Sequence, residues 1–235
     1  MKNRIIKAAL TLLGVLLMTC KTPEGSGNSL TVIKEISDFS MITILGAKKV
    51  TLKQGEKNTI KITADDNIIK NIEVKIIDER LIVGPNKKMK DTDISVEITA
   101  PKITHAEING NTKVEIPNGY NTHNLEFVLN GAVGIDCDNL ISDGRIVINN
   151  NGSGSSTLGG KAETLVLKTK GSGTILAEKF TADSIGVKID GSGSIYVKSD
   201  NYLNVKINGS GSVIYDGKPQ KFEKRINGSG KIIQR

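Results

Sequence analysis

The sequence predicts an all-β protein: a parallel β-solenoid (single-stranded β-helix) with coils of about 20 residues. Three observations predict it. Glycine recurs at Gly110, Gly131, Gly152, Gly171, Gly191, Gly209 and Gly228, with successive spacings of 21, 21, 19, 20, 18 and 19 residues. Apolar residues alternate with polar ones around each of these glycines, which is the period of a strand with one buried face. The composition, 25 Gly and no Trp with only 3% aromatic residues, suits thin, turn-rich β-structure better than a thick globular core.

The columns of the repeat justify the strands. Six residues before the glycine stand Thr104, Leu125, Ile146, Leu165, Ile185, Leu203 and Phe222. Four before it stand Ala106, Phe127, Ile148, Leu167, Val187, Val205 and Lys224, and four after it Val114, Ile135, Ser156, Ile175, Ile195, Val213 and Ile232. Each column breaks its apolar rule once, at Thr104, Lys224 and Ser156. Each coil therefore holds two or three short strands, paired in parallel with the next coil. At a spacing of about 4.8 Å per coil, the seven marks imply a stack on the order of 30 Å.

The corners follow from the Gly-Ser-Gly phrase that opens at Gly152, Gly171, Gly191, Gly209 and Gly228. A sharp corner needs a residue that reaches positive φ, and glycine does so at little steric cost. The residue before each glycine is Asn109, Asn130, Asn151, Lys170, Asp190, Asn208 or Asn227. Asparagine repeated at a corner predicts a ladder of side-chain amides running up the stack.

Residues 30–100 are less repetitive and read as a β-rich N-terminal part of the solenoid, ahead of the regular repeat at 101–235. Val50–Lys53, Thr59–Ile62, Ile72–Ile76 and Ile94–Ile98 alternate as strands. Asp65-Asp66-Asn67 and Pro85-Asn86-Lys87-Lys88 read as turns or loops.

The first residues read as an export signal. Lys2, Arg4 and Lys7 precede an uncharged apolar stretch, Ala8 to Met18, whose 11 residues are too few to span a bilayer. Leu17-Met18-Thr19-Cys20 resembles the lipobox of bacterial lipoproteins, with Thr19 where that pattern has Gly, Ala or Ser. Residues 1–19 are thus expected to be a lipoprotein-type signal peptide, Cys20 the site of lipid attachment, and 20–29 a flexible tether. An ordinary signal peptide cut after Gly27 is the alternative. Removing residues 1–19 lowers the formal net charge from +7 to +4, so the basicity gives little support to nucleic-acid binding. With Cys20 lipidated, Cys137 has no intrachain partner. It falls in a mostly apolar column with Ile116, Leu158, Ala177, Val197, Tyr215 and Gln234, and reads as a small buried hydrophobe.

From about Ile36 onward the chain resembles the putative auto-transporter adhesin head, GIN-domain family of Bacteroidetes-type bacteria. The resemblance is carried by "ISDFSMITILGAKKVTLKQGEKNTIKITADDNIIKNIEVKIIDERLIV", then by "VEITAPKITHAEINGNTKVEI" leading into the Gly-Ser-Gly coils. It implies a β-helical exported or surface domain, often a lipoprotein, and brings no catalytic residues.

Solenoids can be polysaccharide lyases or hydrolases, whose sites need clustered carboxylates or bound Ca²⁺ on one outer face. The two histidines, His105 and His123, lie outside the inward columns and read as solvated surface residues. Calcium-binding nonapeptide repeats have another period and an Asp after the glycines, whereas Thr174, Ser194, Ser212 and Lys231 stand after Gly-Ser-Gly here. No catalytic residue, metal site or cofactor is expected.

Three residues before the glycine the column runs Glu107, Val128, Asn149, Lys168, Lys188, Lys206 and Arg225. Its last four members form a basic row. One reading is a strip that touches a polyanion, such as phosphorylated lipopolysaccharide or an acidic glycan; the plainer one is a solvated face whose lysines discourage aggregation. The sequence is thus that of a non-enzymatic, adhesin-like lipoprotein of the cell envelope, expected at the outer membrane through its lipid. Its expected partners are that membrane and an acidic glycan or a protein, and not nucleic acid. A periplasmic structural or sensing component is the alternative, and a degenerate polysaccharide-active enzyme a third. Solenoid ends expose unpaired strand edges, so pairing through ends or edges is also open.

Overall fold

The computed structural model describes residues 24–90, 93–117 and 119–235. The signal segment 1–19 and Cys20 lie outside the described residues.

Ahead of the regular coils come β1 (Ser29–Glu35), β2 (Met41–Leu45), β3 (Lys49–Gln54), β4 (Thr59–Asp65), the one-turn α1 (Asp66–Ile69), β5 (Ile72–Ile77), β6 (Arg80–Pro85) and β7 (Ser95–Ala100). The coils themselves are β8 (His105–Glu115), β9 (Tyr120–Gly152), β10 (Ser155–Gly171), β11 (Thr174–Gly191), β12 (Ser194–Lys198), β13 (Tyr202–Gly209), β14 (Ser212–Asp216), β15 (Lys221–Asn227) and β16 (Lys231–Gln234). The sixteen strands of the described residues join one sheet that winds on itself. From β8 onward every pairing is parallel, which makes the fold a β-solenoid.

The register follows the repeat. Leu165 stands opposite Ile146 on one side and Ile185 on the other, and Ile185 opposite Leu203. Side chains of the even-numbered offsets point inward, and Phe127, Leu167, Ile185, Ile195 and Leu203 are fully buried. Inward stacking of like side chains from successive coils makes one continuous core, to which burial of each Leu or Ile adds about 1.5–3 kcal/mol.

Each exception to the apolar columns has a local cause. Ser156 is buried, and its hydroxyl accepts the Ile135 N–H at 3.1 Å, where an apolar side chain would leave that N–H without this partner. Thr104 opens the first regular coil and is tied through its N–H and hydroxyl to the Ser40 carbonyl, at 2.8 and 3.1 Å. Lys224 lies on β15, which among the described residues pairs with β13 alone, so its inward position is left open on one side.

The corners are built by backbone stacking. Gly209 has φ +125°, and a Cβ there would stand 2.5 Å from the Gly191 carbonyl oxygen. That carbonyl accepts the Ser210 and Gly211 N–H groups, each at 3.0 Å. Two conditions therefore exclude other residues at this corner: a backbone region L-residues avoid, and a carbonyl pressed against the Cα.

The N-terminal region supplies both coil strands and an end piece. β2 and β3 run parallel to β8. Beyond them β7 pairs antiparallel with β4 and β4 with β1, while β5 and β6 form an antiparallel hairpin. Antiparallel strands close this end of the stack, and α1 replaces the turn expected at Asp65-Asp66-Asn67, burying Ile68. Cys137 is buried, and burial pushes its thiol up to about 11, as expected of an inert core residue.

Candidate functional site

The expected basic strip exists as a row. Lys168 pairs with Lys188, Lys188 with Lys206, and Lys206 with Arg225, on strands β10, β11, β13 and β15. Parallel register places their Cα atoms about 4.8 Å apart from coil to coil. The lysines alternate with the buried columns, so they point outward and are half-buried, while Arg225 is exposed.

Their charges are not equally available. The Lys188 amine is held by the Asp190 carboxylate at 2.6 Å. For Lys168, Lys206 and Arg225 no carboxylate comes within ion-pair distance among the described residues. The Asp190 carboxyl is held below the ordinary carboxylate range, first by its hydrogen bond to Lys188 and next by that from Asn208. Asn149, the next position down the column, donates to Glu126 at 2.6 Å, which turns the strip from basic to neutral there.

Beside the strip lies a groove of about 400 Å³, lined by Val128, Asn149, Asn151, Lys168, Lys170 and Lys188 with Asp190. Val147 and Val166 stand opposite each other on the same outer face, and Gly186 follows them in register. The face thus offers ammonium groups along one line and a short apolar row beside it. That combination can hold an extended anionic chain by charge while its carbon skeleton lies on the valines.

The corner ladder flanks this face. Asn130 donates to the Asn109 side-chain oxygen and Asn151 to that of Asn130, each at 2.9 Å. The ladder resumes with Asn208 on Asp190 at 2.6 Å and Asn227 on Asn208 at 3.0 Å. Lys170 interrupts it.

One outward row breaks the alternation of the columns. Five residues after the glycine, Leu176, Tyr196, Ile214 and Ile233 stand in register on β11, β12, β14 and β16. They face outward, and Ile233 is 45% exposed. The signal is in the sequence: Ile175-Leu176-Ala177, Ile195-Tyr196-Val197 and Val213-Ile214-Tyr215 are runs of three apolar residues, where period two allows only alternate ones.

The histidines form no cluster. His123 is mostly exposed, with Nδ1 2.9 Å from Asp143, and His105 lies 3.3 Å from Glu126 on another coil. Glu163, Asp183 and Asp200 line a groove together with Lys161 and Lys198, a mixed-charge surface rather than an acidic cleft. Among the described residues no group of three or more His, Cys, Asp or Glu is placed to hold a metal ion, and no helix is long and apolar enough to cross a membrane.

Solved structures share this architecture. A putative adhesin from Bacteroides fragilis superposes with a TM-score of 0.84 at 24% identity, covering 89% of this chain and 98% of its own. A putative lipid binding protein from Parabacteroides distasonis does so with a TM-score of 0.71 at 22% identity, covering 92% of this chain and 100% of its own. A putative adhesin from Parabacteroides merdae gives 0.67 at 22% identity, with 90% and 98% covered. At these identities the likeness is one of fold. No curated protein matches the sequence significantly. The family model described as "Putative auto-transporter adhesin, head GIN domain" matches residues 38–219, most of the chain, and this protein is a member of that family.

Proposed function

We propose that this protein is a non-enzymatic, adhesin-like module of the cell envelope, anchored by lipid at Cys20, that binds acidic glycans along the row Lys168, Lys188, Lys206 and Arg225. The observation that carries the glycan reading is the register of that row, in which three of four cations lack a carboxylate partner among the described residues. Stacked like charges repel one another, so a row that keeps them unpaired is suited to an external anion. The family's description supports a surface role, and among the described residues no group of three or more His, Cys, Asp or Glu is placed to hold a metal ion.

The test is binding of purified protein to phosphorylated lipopolysaccharide and to a neutral glycan at two salt concentrations. Lys168→Gln with Lys206→Gln is expected to abolish salt-sensitive binding to the anionic ligand. Unchanged binding would remove the strip from the proposal. Location is tested separately by protease shaving of intact cells beside a Cys20→Ala strain. Loss of signal from intact wild-type cells supports the surface role, whereas protection until the outer membrane is opened supports a periplasmic structural or sensing component.

A further inference from the structure

The last coil ends the stack differently from the first. The N-terminal end carries antiparallel strands, of which β1 and β5 are themselves edges. At the C-terminal end, among the described residues, β15 pairs only with β13 and β16 only with β14, leaving a free backbone edge on each parallel strand. The inward positions of β15 are open as well. Ile226 is 40% exposed, whereas Ile207, its neighbour one coil below, is fully buried.

The free edge carries a sequence that is self-complementary about its centre: Phe222-Glu223-Lys224-Arg225-Ile226. An apolar residue stands at each end, an acid and a base stand inside them, and a lysine stands at the centre. Phe222 and Ile226 belong to the inner face, Glu223 and Arg225 to the outer one.

We propose that two copies of this chain pair tail to tail through β15, antiparallel, with Lys224 on the two-fold axis. In that register Glu223 stands opposite Arg225 of the partner subunit and Phe222 opposite Ile226 of the partner subunit, each contact made twice. An axis normal to the sheet keeps both inner faces on the same side, so the two cores run on into one. Neighbouring registers fail on charge. A shift by two residues sets Glu223 against Glu223 of the partner subunit, or Arg225 against Arg225 of the partner subunit, and a shift by one turns buried faces outward.

Within one chain the charges are poised for this. Arg225 has no carboxylate within ion-pair distance among the described residues, and Glu223 is fixed at the strand's outer face by Lys221 at 2.9 Å and the Tyr202 hydroxyl at 2.9 Å. Lys224 opposes the pairing. Its amine lies 5.7 Å over the Phe222 ring on the inner side, and the partner subunit's Lys224 would meet it near the axis. Inward charges of this kind hold an edge back from open-ended aggregation. Association is therefore limited to a reversible dimer.

The pairing does not depend on glycan binding, and sedimentation equilibrium of the purified full chain in density-matched detergent tests it without one. The wild type is expected to show a monomer–dimer equilibrium. Glu223→Arg and Arg225→Glu should each weaken the dimer about tenfold or more, because each creates two like-charge pairs. The double variant E223R/R225E should restore it, and an equimolar mixture of the two single variants should form a heterodimer, which also shows that both fold. Lys224→Ile should tighten it. A wild type that stays monomeric at millimolar concentration overturns the proposal. So does a dimer that the single variants leave unchanged, or one that the double variant does not restore.

Discussion

The side-chain amide of Asn208 donates to the Asp190 carboxylate on the adjacent coil at 2.6 Å, while the other oxygen of the same carboxylate holds the Lys188 amine at 2.6 Å. One side chain thus joins the corner ladder to the basic strip and lowers the charge the strip offers.

Acid should separate these two roles. The carboxyl of Asp190 is held below its ordinary value of 3.8, by Lys188 first and then Asn208. A depressed folded-state pKa contributes stability above the unfolded value, and that stability is lost as pH falls through the folded one. Unfolding midpoints should therefore fall below pH 4 in the wild type and do so less steeply in Asp190→Asn, which can keep the ladder as an amide. At neutral pH the same variant frees Lys188, and its binding to an anionic glycan should rise severalfold, read by titration at low salt. Weaker binding would mean that Asp190 positions Lys188 for the ligand instead of masking it.

Corner geometry makes a sharp contrast between two glycines. Gly209 combines φ +125° with a Gly191 carbonyl oxygen that would stand 2.5 Å from an added methyl, whereas at Gly186 the nearest atom is a Val166 methyl at an ordinary 3.8 Å. Gly209→Ala should cost at least about 2 kcal/mol in urea unfolding, from strain and a displaced coil. Gly186→Ala should be neutral or slightly stabilising, since alanine suits a strand no worse and loses less chain entropy. Equal effects at the two sites would show that the corner can relax.

At the end of β16 the Gln234 amide donates to the Gly217 carbonyl at 2.8 Å and the Arg235 N–H to the Tyr215 carbonyl at 3.0 Å, and one guanidinium adds a longer reach. Arg235 reaches Glu178 at 2.7 Å and Asp216 at 2.9 Å, and lies 5.8 Å over the Tyr196 ring, so it crosses three coils along the outer apolar row. Arg235→Ala should speed amide hydrogen exchange in β16 severalfold while leaving β10 and β11 unchanged. Uniform acceleration through the stack would instead show that the coils open together.

The columns of the repeat make the coils legible because solenoid burial depends on offset from a corner, and the offset is written in the spacing of the glycines. The basic row follows by the same arithmetic, and its register is as the alignment places it. What the columns do not carry is pairing partners: the antiparallel end formed by β1, β4 and β7 depends on long-range contacts with no fixed period. Nor does a column of lysines reveal which is masked, since Asp190 lies on the same strand two residues on and its effect depends on rotamer. The outer row through Tyr196 is readable in the runs of three apolar residues, but alternation locates buried positions and gives no account of apolar residues that break it outward.

Thr169 is the inward residue whose replacement should help. It is buried and stands between Asn150 and Ile189 in the column two before the glycine. Among the described residues its hydroxyl finds no hydrogen-bond partner and neither does the Asn150 side-chain oxygen, while the Asn150 amide donates to the Gly154 carbonyl at 3.0 Å. An unpaired buried hydroxyl forfeits its bonds to water without return. Valine keeps the branching at Cβ, favours the strand and puts a methyl where the core is apolar. Thr169→Val should raise stability by about 1 kcal/mol, seen as a higher urea midpoint at unchanged slope. Asn150→Leu should not share the gain, because it removes a bond that the Gly154 carbonyl uses. A lower midpoint for Thr169→Val would mean that the hydroxyl is satisfied in solution, and the column would then tolerate polar groups by hydrating them.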